Sequence, residues 1–248
     1  MNKNIQNKPV SLEVIRNNRD IVINGRTAYF TELVKVAVEL TTKLNNETNE
    51  DQKRLTEMLV TETITAMTSS WRNTLPFNIL VSDAAATFAK SLGVDDLRNH
   101  DYSLKISMDT IIDQIEEPSF LSVAENLNDQ DLAKLNKALA KDDKALNSNV
   151  MLHWDHAITG KMFINFVTEL IEELSTTNAD DVTISNRVAE LVNQQAIVWI
   201  LKTENYLLAE KGYKETRDPS WEDAFKDCSI ELSDFSKQDY SLFFSKEW

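Results

Sequence analysis

The densest group of metal-ligating side chains in the chain contains His153 and His156, three positions apart. The apolar spacing over residues 150–174 predicts a helix, on which both imidazoles would share a face and reach one metal ion. A third ligand would have to come from elsewhere, with His100 and Glu169 as candidates. The glutamate that zinc-protease and di-iron helix motifs place at a fixed spacing from histidine is missing. We therefore interpret both histidines as solvated or hydrogen-bonded, and a metal-dependent hydrolase built on them is the alternative.

Other catalytic signatures are missing from the chain as well. Its four glycines are scattered, so no phosphate-binding loop, dinucleotide fingerprint or nucleophile elbow is present. The single cysteine, Cys228, has acidic neighbours that would raise its pKa and make it less reactive. We expect no catalytic residue, no metal and no cofactor, and hence a protein that is not an enzyme.

The scarcity of glycine and proline, four of each in 248 residues, indicates the fold class. Strand-rich folds need many tight turns, and these turns use glycine and proline. We predict an all-α, bundle-like single domain of seven to nine helices. Asn24-Gly25 between two apolar runs also predicts a small β-hairpin near residues 20–30, the alternative being a helix that stops at Gly25.

Apolar spacing of three and four residues predicts the helices. Their expected ranges are 11–18, 31–44, 50–72, 77–92, 102–116, 128–146, 150–174 and 181–211, with one or two short aromatic-rich helices in 217–248. Gly160 would either kink its helix or lower the stability of that helix without breaking it. Residues 196–201 should be the most buried stretch of the chain. We expect a flexible arm at 1–10 and a helical domain at 11–248. Within that domain Pro118 is the expected seam between lobes 11–117 and 119–216, although one continuous core is expected.

The charge of the chain is strongly acidic, with a net value of −14. Residues 1–30 carry +3, whereas residues 101–248 carry −14. An acidic body repels phosphate backbones, so general nucleic-acid binding is disfavoured. The chain has no apolar run long enough to span a bilayer and no apolar region typical of a signal peptide. We expect a cytoplasmic protein, or a viral product made in the cytoplasm or carried in the virion.

The last fourteen residues contain five aromatic side chains, most of them at helical spacing. Such a face docks into a partner's groove or covers the chain's own core, and the cost of exposing aromatic rings favours the core. The candidate partner-binding residues are Tyr240, Leu242, Phe243, Phe244 and Trp248. For function we expect a non-enzymatic interaction protein, of the accessory or inhibitor type, that binds another protein. The alternative is a self-assembling structural component, such as a viral or phage protein.

Overall fold

The computed structural model of the chain describes residues 11–73, 77–141 and 143–248, and the predicted N-terminal arm at 1–10 lies outside them. The described residues form twelve α-helices and five short strands, so the mostly helical, multi-helix fold class is confirmed with more helices than predicted. The helices are α1 (Leu12–Asn17), α2 (Arg19–Asn46), α3 (Glu50–Asn73), α4 (Asp83–Ser91), α5 (Met108–Gln114), α6 (Pro118–Ala124), α7 (Asp129–Lys141), α8 (Gly160–Thr177), α9 (Asp181–Asn193), α10 (Lys202–Glu210), α11 (Trp221–Asp227) and α12 (Asp234–Phe244). The strands are β1 (Ile79–Val81), β2 (Lys105–Ser107), β3 (Ala145–Asn147), β4 (Leu152–His156) and β5 (Ile197–Leu201), and two 3₁₀ helices cover Leu97–Asn99 and Ser148–Val150.

A small mixed sheet lies at the centre of the helices. Strand β5 is its middle strand, parallel to β1 and antiparallel to β4. All five side chains of β5 are buried, which confirms the predicted burial of this apolar run. Strands β2 and β3 form a separate antiparallel pair. Strands β1 and β5 therefore form a fully buried centre for the helices, with the partly exposed β4 at one edge.

The predicted hairpin near residues 20–30 is wrong, because α2 runs through it without a break. Ile23, Phe30 and Val34 are buried, and their spacing of seven and four places them on one face of α2. This face packs against α8 and α9. The gain from burying a continuous apolar face outweighs the local turn preference of Asn24-Gly25.

Replacing Gly25 with alanine is expected to raise the free energy of unfolding by about 0.5–1 kcal/mol. Gly25 lies inside α2 without a positive φ, and an added Cβ would meet no atom within 4 Å. The only effect of alanine is then to lower the conformational entropy of the unfolded chain, which stabilises the folded protein. A hairpin turn at Gly25 would need φ > 0, and alanine would destabilise the protein instead. Urea unfolding of the two proteins distinguishes these outcomes by sign.

Five predicted helices contain strands that their sequence spacing does not reveal, and the range 128–146 forms α7 and ends in β3. Residues 77–92 form β1 and then α4, and residues 102–116 form β2 and then α5. Residues 150–174 begin with a 3₁₀ turn and β4, so Gly160 is the first residue of α8 and not a kink inside it. Residues 181–211 form α9, β5 and α10. Only the division of 181–211 into α9 and α10 adds a helix, and α6 adds another at Pro118–Ala124, where no helix was predicted.

The buried apolar side chains form one cluster that takes residues from α1 through α12. Pro118 begins α6 and lies on the surface of this cluster, so the division into lobes at that position stays a prediction. No helix in the described ranges combines the length and the apolar character that a membrane span requires.

Candidate functional site

The clearest cavity near the predicted histidines lies between the outer strand β4, the start of α8 and the helix α10. It has a volume of about 540 Å³. The start of α8 contributes Gly160 to the lining, and α10 contributes Asn205 and Tyr206. Lys214 and Arg217, from the segment after α10, and Trp71, from α3, also line the cavity. We call this cavity the β4 cleft. Its size is typical of small-molecule sites, which measure roughly 300–1,000 Å³.

The two histidines lie on β4 and not on a helix, which removes the reason to place them on one face. Side chains alternate along a strand, so His153 shares a face with Asp155 while His156 lies on the opposite face with Trp154. Trp154 packs edge-on against Trp199, with ring centroids 4.9 Å apart. Both histidines line the β4 cleft, but from different sides of the strand.

The two candidates for a third metal ligand, His100 and Glu169, do not line the β4 cleft. The backbone carbonyl of His100 accepts a hydrogen bond from Trp199 Nε1 at 3.2 Å. Glu169 lies in α8 and lines a different surface cavity. Across the described ranges, no group of three His, Cys, Asp or Glu side chains is placed to hold a metal ion.

A buried ion pair closes one wall of the β4 cleft. Arg217 Nη1 and Nη2 donate to the two carboxylate oxygens of Asp155 at 2.8 and 2.9 Å. Nη1 also donates to the carbonyls of His156 and Ala157, both at 3.1 Å. The side chains of Arg217 and Asp155 are only 3% and 7% exposed. This bidentate contact fixes the segment after α10 to β4 and neutralises the guanidinium charge.

Two titratable side chains of the cleft, His153 and Tyr206, are held in their neutral forms. Burial lowers the pKa of His153 despite Asp155, whose Oδ1 lies 3.8 Å from Nε2. Burial and a hydrogen bond to Asp131 raise the pKa of Tyr206 to about 12. The Tyr206 hydroxyl donates to Asp131 Oδ2 at 2.6 Å. Near neutral pH the cleft therefore offers an uncharged imidazole and an uncharged phenol.

Two polar side chains of the cleft have no protein partner in the described part of the chain. The Asn205 amide makes no hydrogen bond there, and the Lys214 ammonium makes no ion pair. The Thr159 hydroxyl, in contrast, accepts from Met162 N–H at 3.2 Å and donates to the Glu215 carbonyl. Thr159 carries the only aliphatic hydroxyl among the described lining residues, and both of its hydrogen bonds are to the chain itself.

The sequence points to the histidines of the cleft but not to its other polar residues. Arg217 lies 62 positions from Asp155, and no local pattern links the two. Asn205 and Lys214 belong to no motif. Their common feature is only that the fold brings α10 and the following segment against β4.

The C-terminal aromatic side chains pack on the chain's own core. Tyr240 is 1% exposed, and its ring centroid lies 6.0 Å from that of Trp221. Phe243, Phe244 and Trp248 are partly buried against the same core. Leu242 is the exception among the candidate partner-binding residues, with 75% of its surface exposed.

An exposed apolar surface lies instead on the first half of α3. Leu55, Met58 and Leu59 are 58%, 53% and 41% exposed, and their spacing places them on one face. None of the side chains at 50–66 is buried. We call these three residues the α3 face. Leu55 also lines a cleft of about 490 Å³ between the end of α2 and the start of α3.

No match was found for this chain among protein-family models, curated proteins or solved structures. Its function is therefore inferred from the β4 cleft and the α3 face themselves.

Proposed function

We propose that this protein is a non-enzymatic interaction protein that binds a helix of another protein on the α3 face. The observation that carries the proposal is the unpartnered apolar row on a helix that buries no side chain over residues 50–66. Most helix stability in proteins comes from packing an apolar face, and the three apolar side chains of the α3 face do not belong to the described core. A partner helix would supply it, in the manner of helix-in-groove recognition.

The charges beside the α3 face support a partner with basic residues. Asp51 lies one turn before Leu55, and Glu62 lies one turn after Met58, so an acidic side chain stands at each end of the apolar row, while Arg54 lies to one side of it. A helix whose apolar face is flanked by lysine or arginine would complement this pattern over about 18 Å of α3.

The net charge of −14 also favours a different protein over a second copy of this chain. Two acidic copies repel each other, whereas a basic partner is attracted and steered to the surface. Three apolar side chains are too few for a stable interface of about 800 Å² on each side. The partner must therefore also contact the polar flanks of α3.

Affinity capture from the source cells is the test of this proposal. The variant Leu55→Ser/Met58→Ser/Leu59→Ser is expected to lose at least about tenfold of the captured partner, because serine removes the apolar area that binding would bury. The matched control is Val182→Ser/Leu242→Ser, which removes two isolated apolar side chains that are 67% and 75% exposed. Circular dichroism verifies that all three proteins keep their helix content.

The outcomes of this experiment are distinct. A partner retained by the control and lost by the triple variant supports the proposal. A partner retained equally by both variants contradicts it. Light scattering of the purified wild-type protein is an independent measurement: a dimer that the triple variant cannot form would contradict a heterologous partner and support self-assembly.

A further inference from the structure

We propose that the β4 cleft binds a small aromatic carboxylate, a ligand unrelated to the partner of the α3 face. The inference rests on three features of the cleft: its apolar walls, its unpartnered polar groups and its balance of charge. Each of these features narrows the class of ligand.

The walls of the cleft fit a flat apolar body. Trp71, Trp154, Ile158 and Leu208 all line it. Trp71 is held in place from behind, since its ring stacks on Phe163 with centroids 4.2 Å apart. Trp71 is 1% exposed and backs the wall, whereas Trp154 is partly exposed at the cleft and can meet a planar ring by stacking or edge-on.

The unpartnered polar groups of the cleft fit one anionic group on that body. Lys214 supplies an ammonium without an ion-pair partner in the described ranges, and the Asn205 amide is a second available donor. Gly160 places the positive end of the α8 dipole at the same cavity, which adds to the attraction of an anion. The neutral imidazole of His153 can donate a further hydrogen bond.

The charge balance selects a carboxylate over a phosphate group. Arg217 lines the cleft, but its charge is already matched by Asp155 through two short hydrogen bonds. Lys161 is paired with Glu215 at 3.1 Å. Lys214 is then the one full cation of the cleft without a carboxylate partner in the described chain. One cation matches a singly charged anion, whereas a phosphate monoester carries close to two negative charges at neutral pH.

Isothermal titration calorimetry with defined probes tests this inference on the full chain. The probes are indole-3-acetate and benzoate, and their uncharged counterparts are indole-3-acetamide and benzamide. We expect saturable binding of at least one carboxylate, with its amide at least about tenfold weaker because it lacks the charge that Lys214 recognises. Lys214→Ala and Asn205→Ala are each expected to weaken binding of the carboxylate about five- to tenfold.

Lys90→Ala is the matched control, since it removes the same charge from an exposed lysine of α4 that does not line the cleft. This variant should bind the carboxylate as the wild type does. The inference is overturned if neither carboxylate binds at millimolar concentration, if the amides bind equally well, or if Lys214→Ala leaves the affinity unchanged. None of these results bears on the α3 face, since the probes and variants do not involve it.

Discussion

Replacing Arg217 with methionine is expected to lower the free energy of unfolding by about 3–5 kcal/mol. The substitution leaves the Asp155 carboxylate buried without its bidentate partner, and the carbonyls of His156 and Ala157 lose a donor. Removing one member of a buried pair strands the other charge in a medium of low dielectric constant, which is the costly outcome. Urea unfolding followed by tryptophan fluorescence measures the loss.

Two further variants distinguish the contribution of the ion pair to stability from that of neighbouring charges. Lys214→Met removes a cation three residues earlier in the same segment, but this side chain is exposed, so we expect a change within about 0.5 kcal/mol. The double variant Arg217→Met/Asp155→Leu removes both charges and should recover part of the stability. A loss below about 1 kcal/mol for Arg217→Met would contradict the buried, bidentate contact.

Replacing Tyr240 with alanine is expected to cost about 3–5 kcal/mol of the free energy of unfolding, as for other large buried aromatic side chains. Tyr240 packs among Trp221, Phe244 and Trp248, with ring centroids 4.9–6.0 Å away. Its hydroxyl donates to Glu222 Oε1 at 2.9 Å. Alanine at this position would leave a cavity at the centre of the aromatic cluster.

The control for Tyr240 lies two residues along the same helix. Leu242→Ala removes a side chain that is 75% exposed and should change stability by less than about 0.5 kcal/mol. Tyr240→Phe should cost about 1–2 kcal/mol, since it removes only the hydroxyl and leaves Lys246 paired with Glu222 at 2.7 Å. If Tyr240→Ala were as mild as Leu242→Ala, the C-terminal segment would lie away from the core and remain available to a partner.

The backbone also ties the C-terminal segment to the sheet. The Ser233 N–H donates to the Val81 carbonyl at 3.0 Å, and the Val81 N–H donates to Ser236 Oγ at 2.9 Å. Ser82 and Leu232 form an antiparallel bridge beside β1. Residues 232–236 therefore cover the outer edge of β1, which would otherwise present unpaired strand groups.

The sequence predicts the long helices of this fold better than its short strands. The spacing in α3 and α7 is periodic over many residues. Helix α3 matches its predicted range to within one residue, whereas α7 ends at Lys141, five residues before its predicted end at 146. The run at 196–201 is buried as predicted, yet most of it lies in β5 and not in a helix. A short apolar run fits a buried strand or a buried helix equally well. Only its β-branched and aromatic residues, here Ile197, Val198, Trp199 and Ile200, favour the strand.

The candidate sites are harder to predict than the elements that carry them. The contact of Arg217 with Asp155 depends on how the segment after α10 returns to β4, which no local spacing encodes. The α3 face can be found as an apolar row in the sequence, but its exposure cannot, since the same spacing is typical of a buried helix. The exposure of the C-terminal aromatic row cannot be predicted from its spacing either, and in the structure this row packs on the core.

Photo-cross-linking in the source cells tests the central claim, that the surface for a partner is the α3 face, most directly. A photoreactive residue replaces Met58 in one protein and Leu242 in a matched control, both at exposed positions. We predict an adduct with a different protein from position 58 and none from position 242. An adduct from position 242 alone, or an adduct of twice the mass of this chain from position 58, would contradict the claim.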